Sequence, residues 1–463
     1  LGHLLLIKYD LDMKFFYNIA IILIYFLTGC SSSWLEIKPD QSLVVPKSAK
    51  DYQAWLNNVS KFNVSNSFGN MEVMADNLYL PDATYNGLSS SVVRNVYAWA
   101  NGGTDFYGGV GSASWDDAYS KLLEINAVLE GIAKVNRSDA PTAWDNVRGS
   151  ALFYRAFYHY AILAEFCQAY SDDDPLGIPL RTSSNVNDKI IRSSLKDSYS
   201  HVLKDLETAE SLLPVTPENK LQPSRMAVWA LLSRINLAMS NYDKALLYAQ
   251  HCLANDDVLL DYNTLNTTAA FPFDRLNKEV IFLLYIANPS ALSQTNHVVD
   301  STLYRSYGQD DLRRELFFRI NAGLPRFKGG YFGSASCFVG LATDEVYLNA
   351  IECLVRTEKL KDATELFNKL LVSRWKTTKY NAIVFTDAKD ALTQVLNERR
   401  KSLLFRCLRL SDIKRLNKST DRQIWMRRKL NNEEIVLAPN DPKYVLPIPQ
   451  QELVLNPMPQ NPR

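Results

Sequence analysis

Trp229-Ala230-Leu231-Leu232-Ser233-Arg234-Ile235-Asn236-Leu237-Ala238-Met239-Ser240-Asn241-Tyr242-Asp243-Lys244-Ala245-Leu246-Leu247-Tyr248-Ala249-Gln250-His251-Cys252 is the stretch that decides the fold. Its apolar residues recur at helical spacing on both sides of Asn241. Trp229, Leu232, Ser233, Asn236, Tyr242, Ala245, Ala249 and Cys252 follow the spacing of a tetratricopeptide helix pair. Small side chains at Ser233 and Ala245 let two helices approach closely, and Asn241 to Ala245 is the turn into the second helix. One such pair cannot bury its apolar face alone, so it must stack on others.

More pairs lie on either side. Leu360-Lys361-Asp362-Ala363 repeats the turn after a helical pattern from Asp344 to Arg356. Further pairs are expected over 115–170 and 193–240, with helices shared between neighbours. From Trp115 to Ile132, residues Trp115, Ala118, Tyr119, Leu122, Leu123, Ile125, Val128 and Leu129 form one helical face. A second helix is predicted from about Ala143 to Tyr170, with Pro175 and Gly177 beyond its end. A third opens at Ser194-Leu195-Lys196-Asp197, a capping pattern, and stops at Pro214. Two regions break this rhythm. Residues 68–112 show no clear period, and residues 256–340 mix short β-like runs, such as Val280 to Ile286, with long loops. Long ordered loops on a helical scaffold tend to carry function. The predicted fold class is all-α: tetratricopeptide-type helix pairs form a scaffold, with irregular loop-rich excursions and minor β structure.

The N-terminal residues address the chain. Met13 and Lys14 precede an apolar run from Phe15 to Leu27, which ends in Leu27-Thr28-Gly29-Cys30. A charged start, an apolar run and a small-residue site read as a secretory signal. Cysteine directly after Leu-Thr-Gly resembles a bacterial lipobox, in which the chain is cut before the cysteine and its thiol is lipidated. The expected organisation is a signal peptide over 1–29, with 1–12 an over-extended start. A lipidated tether follows over 30–48 and a single domain over 49–463. No later segment reaches about 18 uninterrupted apolar residues, so none should span a bilayer as a helix.

Composition excludes several functions. The 463 residues carry a net charge of +1, which gives no electrostatic case for nucleic acid. Removing residues 1–29 takes away Lys8, Lys14, Asp10 and Asp12 and leaves that balance unchanged. Beyond Cys30, the cysteines Cys167, Cys252, Cys337, Cys353 and Cys407 are odd in number and widely spaced, which is no disulfide framework. Cys167, Cys252 and Cys353 read as buried small hydrophobes. There is no Gly-x-Ser-x-Gly elbow, His-Glu-x-x-His, Cys-x-x-Cys or Gly-Lys dipeptide. The five histidines are scattered, and the acidic runs Asp172-Asp173-Asp174 and Asp310-Asp311 read as solvated loops rather than Ca²⁺ ligands. No catalytic residue, metal site or cofactor is expected.

Six motifs in order then carry a family resemblance. Trp115, Tyr119 and Asn126 resemble a W-x3-Y…N helix, and Gly149 to Tyr158 resembles G-x-A-x-F-x-R-A-x-x-Y. Asp205, Ala209, Leu212, Leu213 and Pro214 resemble D-L-x-x-A-x-x-L-L-P. Glu345, Tyr347, Leu348, Ala350 and Glu352 resemble an E-x-Y-L-x-x-A-E helix, displaced by one residue at its end. Glu398-Arg399-Arg400 with Phe405, Arg409, Asp412 and Arg415 resembles E-R-R…F-E-G-x-R-x-x-D-L-x-R. Tyr444-Val445-Leu446-Pro447-Ile448-Pro449, with Glu452, Leu453, Asn456, Pro457 and Gln460-Asn461-Pro462, resembles the Y-x-L-P-I-P tail. Together with the lipobox, these make the chain resemble a SusD/RagB-type nutrient-binding outer-membrane lipoprotein of Bacteroidetes. Arg406 and Cys407 depart from the pattern, standing where the family usually has Glu and Gly.

The resemblance implies a lipoprotein, anchored through Cys30 and facing outward from the outer membrane. It would capture a glycan or peptide and pass it to a SusC-like TonB-dependent transporter. A peptide-binding uptake lipoprotein and a tetratricopeptide adaptor for another protein are the alternatives. Arg155, Glu398, Arg399, Arg409 and Asp412 read as ion pairs tying helices to the C-terminal segment. The Pro-rich tail is expected to avoid helix and pack extended. Sugar rings stack their C–H faces on aromatic rings, and their hydroxyls seek amides and carboxylates. Residues 76–107 offer both, in Asp76, Asn77, Tyr79, Tyr85, Asn86, Tyr97, Trp99, Asn101, Asp105 and Tyr107. Trp99, Asn101 and Tyr107 are the first ligand-binding candidates, then Tyr79 and Tyr85. The later excursion adds Phe271, Phe273, Tyr304 and Tyr307.

Overall fold

The stretch from Trp229 to Cys252 forms the two helices its spacing predicts, Arg225–Ala238 and Tyr242–Asn255. Ser233 is the contact point: its hydroxyl donates to the Ala245 carbonyl at 2.9 Å, which only a small side chain allows. In the computed structural model, residues 46–103, 106–109 and 111–463 are described. The signal segment, Cys30, most of the tether and Asp105 lie outside them. Residues 47–463 form one compact unit.

Eight long helices carry the scaffold among the described residues: α1 Ala113–Ile132, α2 Pro141–Phe166, α3 Leu195–Leu212, α4 Arg225–Ala238, α5 Tyr242–Asn255, α6 Thr343–Arg356, α7 Leu360–Val372 and α8 Ala388–Ser402. From α1 to α6 each packs on the next in chain order, and α6 also carries α7 and α8. The long excursion between α5 and α6 therefore leaves the stack unbroken. Capping chooses the starts: Ser112, Ser194, Ser224 and Asp387 each accept a backbone N–H of the first turn. Gly149 lets α2 meet the end of α3, because a Cβ there would come within 2.8 Å of Leu213. The five cysteines among the described residues are free and buried, Cys167 at the end of α2.

Buried arginines lock the stack. Arg155 on α2 grips Asp205 on α3 with two 2.7 Å bonds and reaches Asn126 on α1 at 3.1 Å. Arg234 on α4 grips Glu345 on α6 the same way, at 2.7 Å. Arg399 on α8 binds Asp412 at 2.8 Å and Asn349 on α6 at 2.7 Å, while Arg415 clamps Glu352 at 2.6 and 2.7 Å. Glu398 pairs with the buried Arg313. A buried charge persists when it is paired or fully hydrogen-bonded.

These pairs tie helices to helices, not to the C-terminal segment, which corrects the expectation. The tail is held instead through its backbone and amides. Asn461 donates to the carbonyls of Phe166 at 2.8 Å and Leu446 at 2.7 Å, and Arg192 donates to the Pro459 carbonyl at 3.0 Å. The tail also contains a short helix, Gln450–Leu455, which starts after Pro449 and stops before Pro457. The prolines bound that helix rather than forbid it.

The irregular regions are joined to each other. Among its described residues the 68–112 region holds three helices, Gly69–Met74, Asp82–Gly87 and Ser91–Tyr97, each too short to print a period. Strand Val64–Ser65 pairs in parallel with Tyr285–Ile286, and Leu78–Tyr79 pairs antiparallel with Val298–Val299. The two excursions thus share backbone hydrogen bonds. Cys407 keeps the left-handed backbone where the family usually has Gly, at φ 59°, and its N–H donates to Glu72 at 3.0 Å. Arg406 pairs with Asp344 at 3.3 Å and lies over the rings of Tyr331 and Phe338.

Candidate functional site

Two neighbouring grooves lie beside α8, which lines both through Arg400. The larger, about 600 Å³, runs between α7, α8, the 375–383 loop and the helix Ser301–Ser306. Phe367, Trp375, Tyr380 and Ile383 give it an apolar floor, and Asn381, Gln394 and Asn397 give it amides. The smaller, about 380 Å³, lies between Tyr79, Asp300, Arg400 and the strand Met426–Leu430. Thr302 and Arg400 line both, so the two grooves are neighbours. Pockets of this size, with an apolar surface and a few convergent polar groups, suit small-molecule recognition.

Charge pairing builds the junction. Arg409 grips Asp76 at 2.7 and 2.8 Å, and Arg400 donates to the Asp76 carbonyl at 2.6 Å and to Asn77 at 3.1 Å. Burial alone would raise the Asp76 pKa, but the charges of Arg409 and Arg400 outweigh it and hold the carboxyl well below the usual range. Asp300 caps the Ser301–Ser306 helix through the Leu303 N–H at 2.8 Å. Behind this layer, burial pushes Glu72 up to about 7, although Asn77 and the Cys407 N–H both donate to it. Burial does the same to Glu165, also to about 7.

A β-hairpin, Met426–Leu430 with Glu433–Leu437, forms the outer wall. Its turn is Asn431-Asn432, both at positive φ, as a two-residue hairpin loop requires. Exposure alternates along the first strand. Trp425, Arg427 and Lys429 face solvent, while Met426, Arg428 and Leu430 face inward. Arg428 is the anchor: it donates to the carbonyls of Tyr97, Val73 and Ala75, the last two at 2.7 Å. Its guanidinium lies 3.9 Å from the Tyr97 ring centre and 4.2 Å from that of Trp99. Burial lowers its pKa to about 10, so it remains charged near neutrality.

That anchor decides the fate of the sequence candidates. Trp99 is 1% exposed, its indole N–H donates to the Met74 carbonyl at 3.0 Å, and Arg428 covers its ring. Trp99 borders the smaller groove but offers no free face for stacking. Tyr107 is likewise in the core, and its hydroxyl holds the Pro447 carbonyl at 2.7 Å. Both are corrections: a large aromatic with one polar atom serves a core well when that atom finds a partner. Tyr79 is half-buried and lines the smaller groove. Tyr85 is half-buried against Tyr97, Asn101 is exposed, and neither lines a groove. Of the later set, Phe273 and Tyr307 are core residues, Tyr304 is half-buried and Phe271 is exposed.

Sequence reasoning missed Trp375, Tyr380, Arg400, Arg427 and Lys429. Trp425-Met426-Arg427-Arg428-Lys429-Leu430 carries no alternation of polarity, because the inward-facing Arg428 is itself charged, so the strand gives no sequence signal. Among the described residues no group of three or more His, Cys, Asp or Glu is placed to hold a metal ion. No described helix is long and apolar enough to cross a membrane.

Residues 33–237 match the family model described as starch-binding associating with outer membrane, and residues 343–463 match the model described as SusD family. The chain belongs to the SusD family. A SusD-like protein, P2 of Formosa agariphila, is 25% identical over 249 residues, 53% of this chain and 47% of that protein. The chain thus matches about half the length of that curated SusD relative. A SusD superfamily structure from Bacteroides thetaiotaomicron superposes with a TM-score of 0.72 at 22% identity, covering 90% of this chain and 100% of its own. A SusD-like carbohydrate binding protein from Bacteroides vulgatus gives 0.68 at 20% identity, over 89% of this chain and 97% of its own. At these identities the structures show a shared SusD fold, a helical scaffold with small sheets.

Proposed function

We propose that this SusD-family protein is an outer-membrane lipoprotein, acylated at Cys30 and facing outward. In this reading it captures a glycan or oligosaccharide in the paired grooves and delivers it to a SusC-like TonB-dependent transporter. The observation that carries the reading is the pair of neighbouring grooves. They set the aromatic surfaces of Tyr79, Trp375 and Tyr380 beside the polar side chains of Asn381, Gln394, Asn397 and Arg400. The family description, starch-binding and outer-membrane association, supports the same class of ligand and address. The protein acts by binding and not by turnover, with Tyr79 as the ligand contact retained from the sequence candidates.

Calorimetric titration of the purified protein against a glycan and peptide panel tests this. Saturable glycan binding without product formation is expected, together with copurification of a large β-barrel from membranes. Peptide binding alone, or release of shortened glycans, would contradict the reading.

A further inference from the structure

The charges at the groove mouths are uneven. The acids that line the grooves are engaged: Asp76 by Arg409 and Arg400, Glu398 by Arg313 and Lys401, and Asp300 by its helix cap and Arg400 at 3.6 Å. The exposed charges are basic: Lys379 on the larger groove, Arg427 and Lys429 on the smaller. Among the described residues neither lysine forms an ion pair, although Glu434 is the cross-strand neighbour of Lys429. Arg427 forms one with Glu434, at 3.3 Å, but both groups are more than half exposed, so that pair is weak. The chain as a whole is nearly neutral, at +1, so this excess is local.

Trp425 stands in the same row. It is 54% exposed and is the one exposed tryptophan among the described residues. Residues two apart in extended backbone are roughly 6.6 Å apart, so Trp425, which immediately precedes the strand and lies beyond the lining of either groove, places an apolar face beside the cations Arg427 and Lys429. Arg428, buried on the opposite face, holds that strand in place.

We propose that the paired grooves take an acidic glycan, one carrying carboxylate or sulfate groups. Trp425 stacks on a sugar ring, and Lys379, Arg427 and Lys429 pair with the anionic substituents. Glu434 opposes them and tunes the site against excess affinity. This rests on the carbohydrate reading above and narrows it.

The test is titration with two matched probe pairs: polygalacturonate against its carboxyl-reduced form, and dextran sulfate against dextran. At least one charged probe binds more tightly than its neutral partner, and which one separates carboxylate from sulfate. Its affinity falls as salt rises. R427Q/K429Q weakens that binding by roughly fivefold, W425A also weakens it, and E434Q strengthens it. K196Q, which lines neither groove, leaves it unchanged. Equal or tighter binding of the neutral partners, or no response to R427Q/K429Q and E434Q, overturns the acidic specificity and leaves the carbohydrate reading standing. Binding to none of the four also overturns it, and the broader panel then judges the carbohydrate reading separately.

Discussion

The helical stack and the groove hairpin solve opposite problems with the same residue type. In the stack, arginines point inward: Arg155, Arg234 and Arg415 each grip a carboxylate of a neighbouring helix. In the hairpin, Arg428 points inward as an anchor while Arg427, next to it, points out at the groove mouth. Which face of its element an arginine occupies therefore separates holding the fold from meeting a ligand.

Breaking the stack should have the largest effect. Arg234→Met leaves Glu345 buried without its partner and should cost about 3–5 kcal/mol in denaturant unfolding. Any loss of glycan binding should track the unfolded fraction. Trp99→Ala tests the same contrast at the boundary. It empties a core position and uncovers Arg428, so a loss of about 3–5 kcal/mol is expected. A Trp99→Ala protein of unchanged stability that fails to bind would restore Trp99 as a ligand contact.

Protonation sharpens the comparison. Burial pushes Glu165 up to about 7 from the 4.5 of a free carboxyl, so its folded state holds the proton more tightly. Its contribution is complete below pH 4.5 and is lost as pH rises through 7. One of its oxygens has no partner among the described groups, which is where that proton can sit. Glu165→Gln mimics the neutral form. Relative to the native protein it should gain stability between pH 4.5 and 7, by up to about 1.4 kcal/mol per pH unit, and gain nothing below. A pH-independent difference in chemical denaturation would show that Glu165 titrates alike in the folded and unfolded states. The smallest effect is expected at the groove, where Tyr79→Ala should weaken glycan binding by about 0.5–1.5 kcal/mol without altering stability.

The stack was legible because it repeats. The 229–252 spacing, the cap at Ser194 and the turn at Leu360–Ala363 each announce a helix through local pattern, and α1 to α6 pack in the order they are written. The groove was not legible because it has no local pattern. It joins Tyr79, Thr302, Tyr380, Arg400 and Lys429, which only the pairing of short strands and α8 bring together. Aromatic content marked residues 76–107, of which Asp76, Leu78, Tyr79 and Trp99 line the smaller groove and none lines the larger. A tryptophan in the core and one on the surface look alike until the neighbours are known. Trp99 is covered by Arg428, whereas Trp425 lies open.

Hydrogen–deuterium exchange with and without a bound glycan tests the central claim most directly. The account predicts protection confined to the 78–79 strand, the 375–383 loop, the start of the Ser301–Ser306 helix and the 426–430 strand. Protection spread instead along the outer faces of α3 to α5, with those four segments unchanged, would contradict it and mark the helical stack as the binding surface.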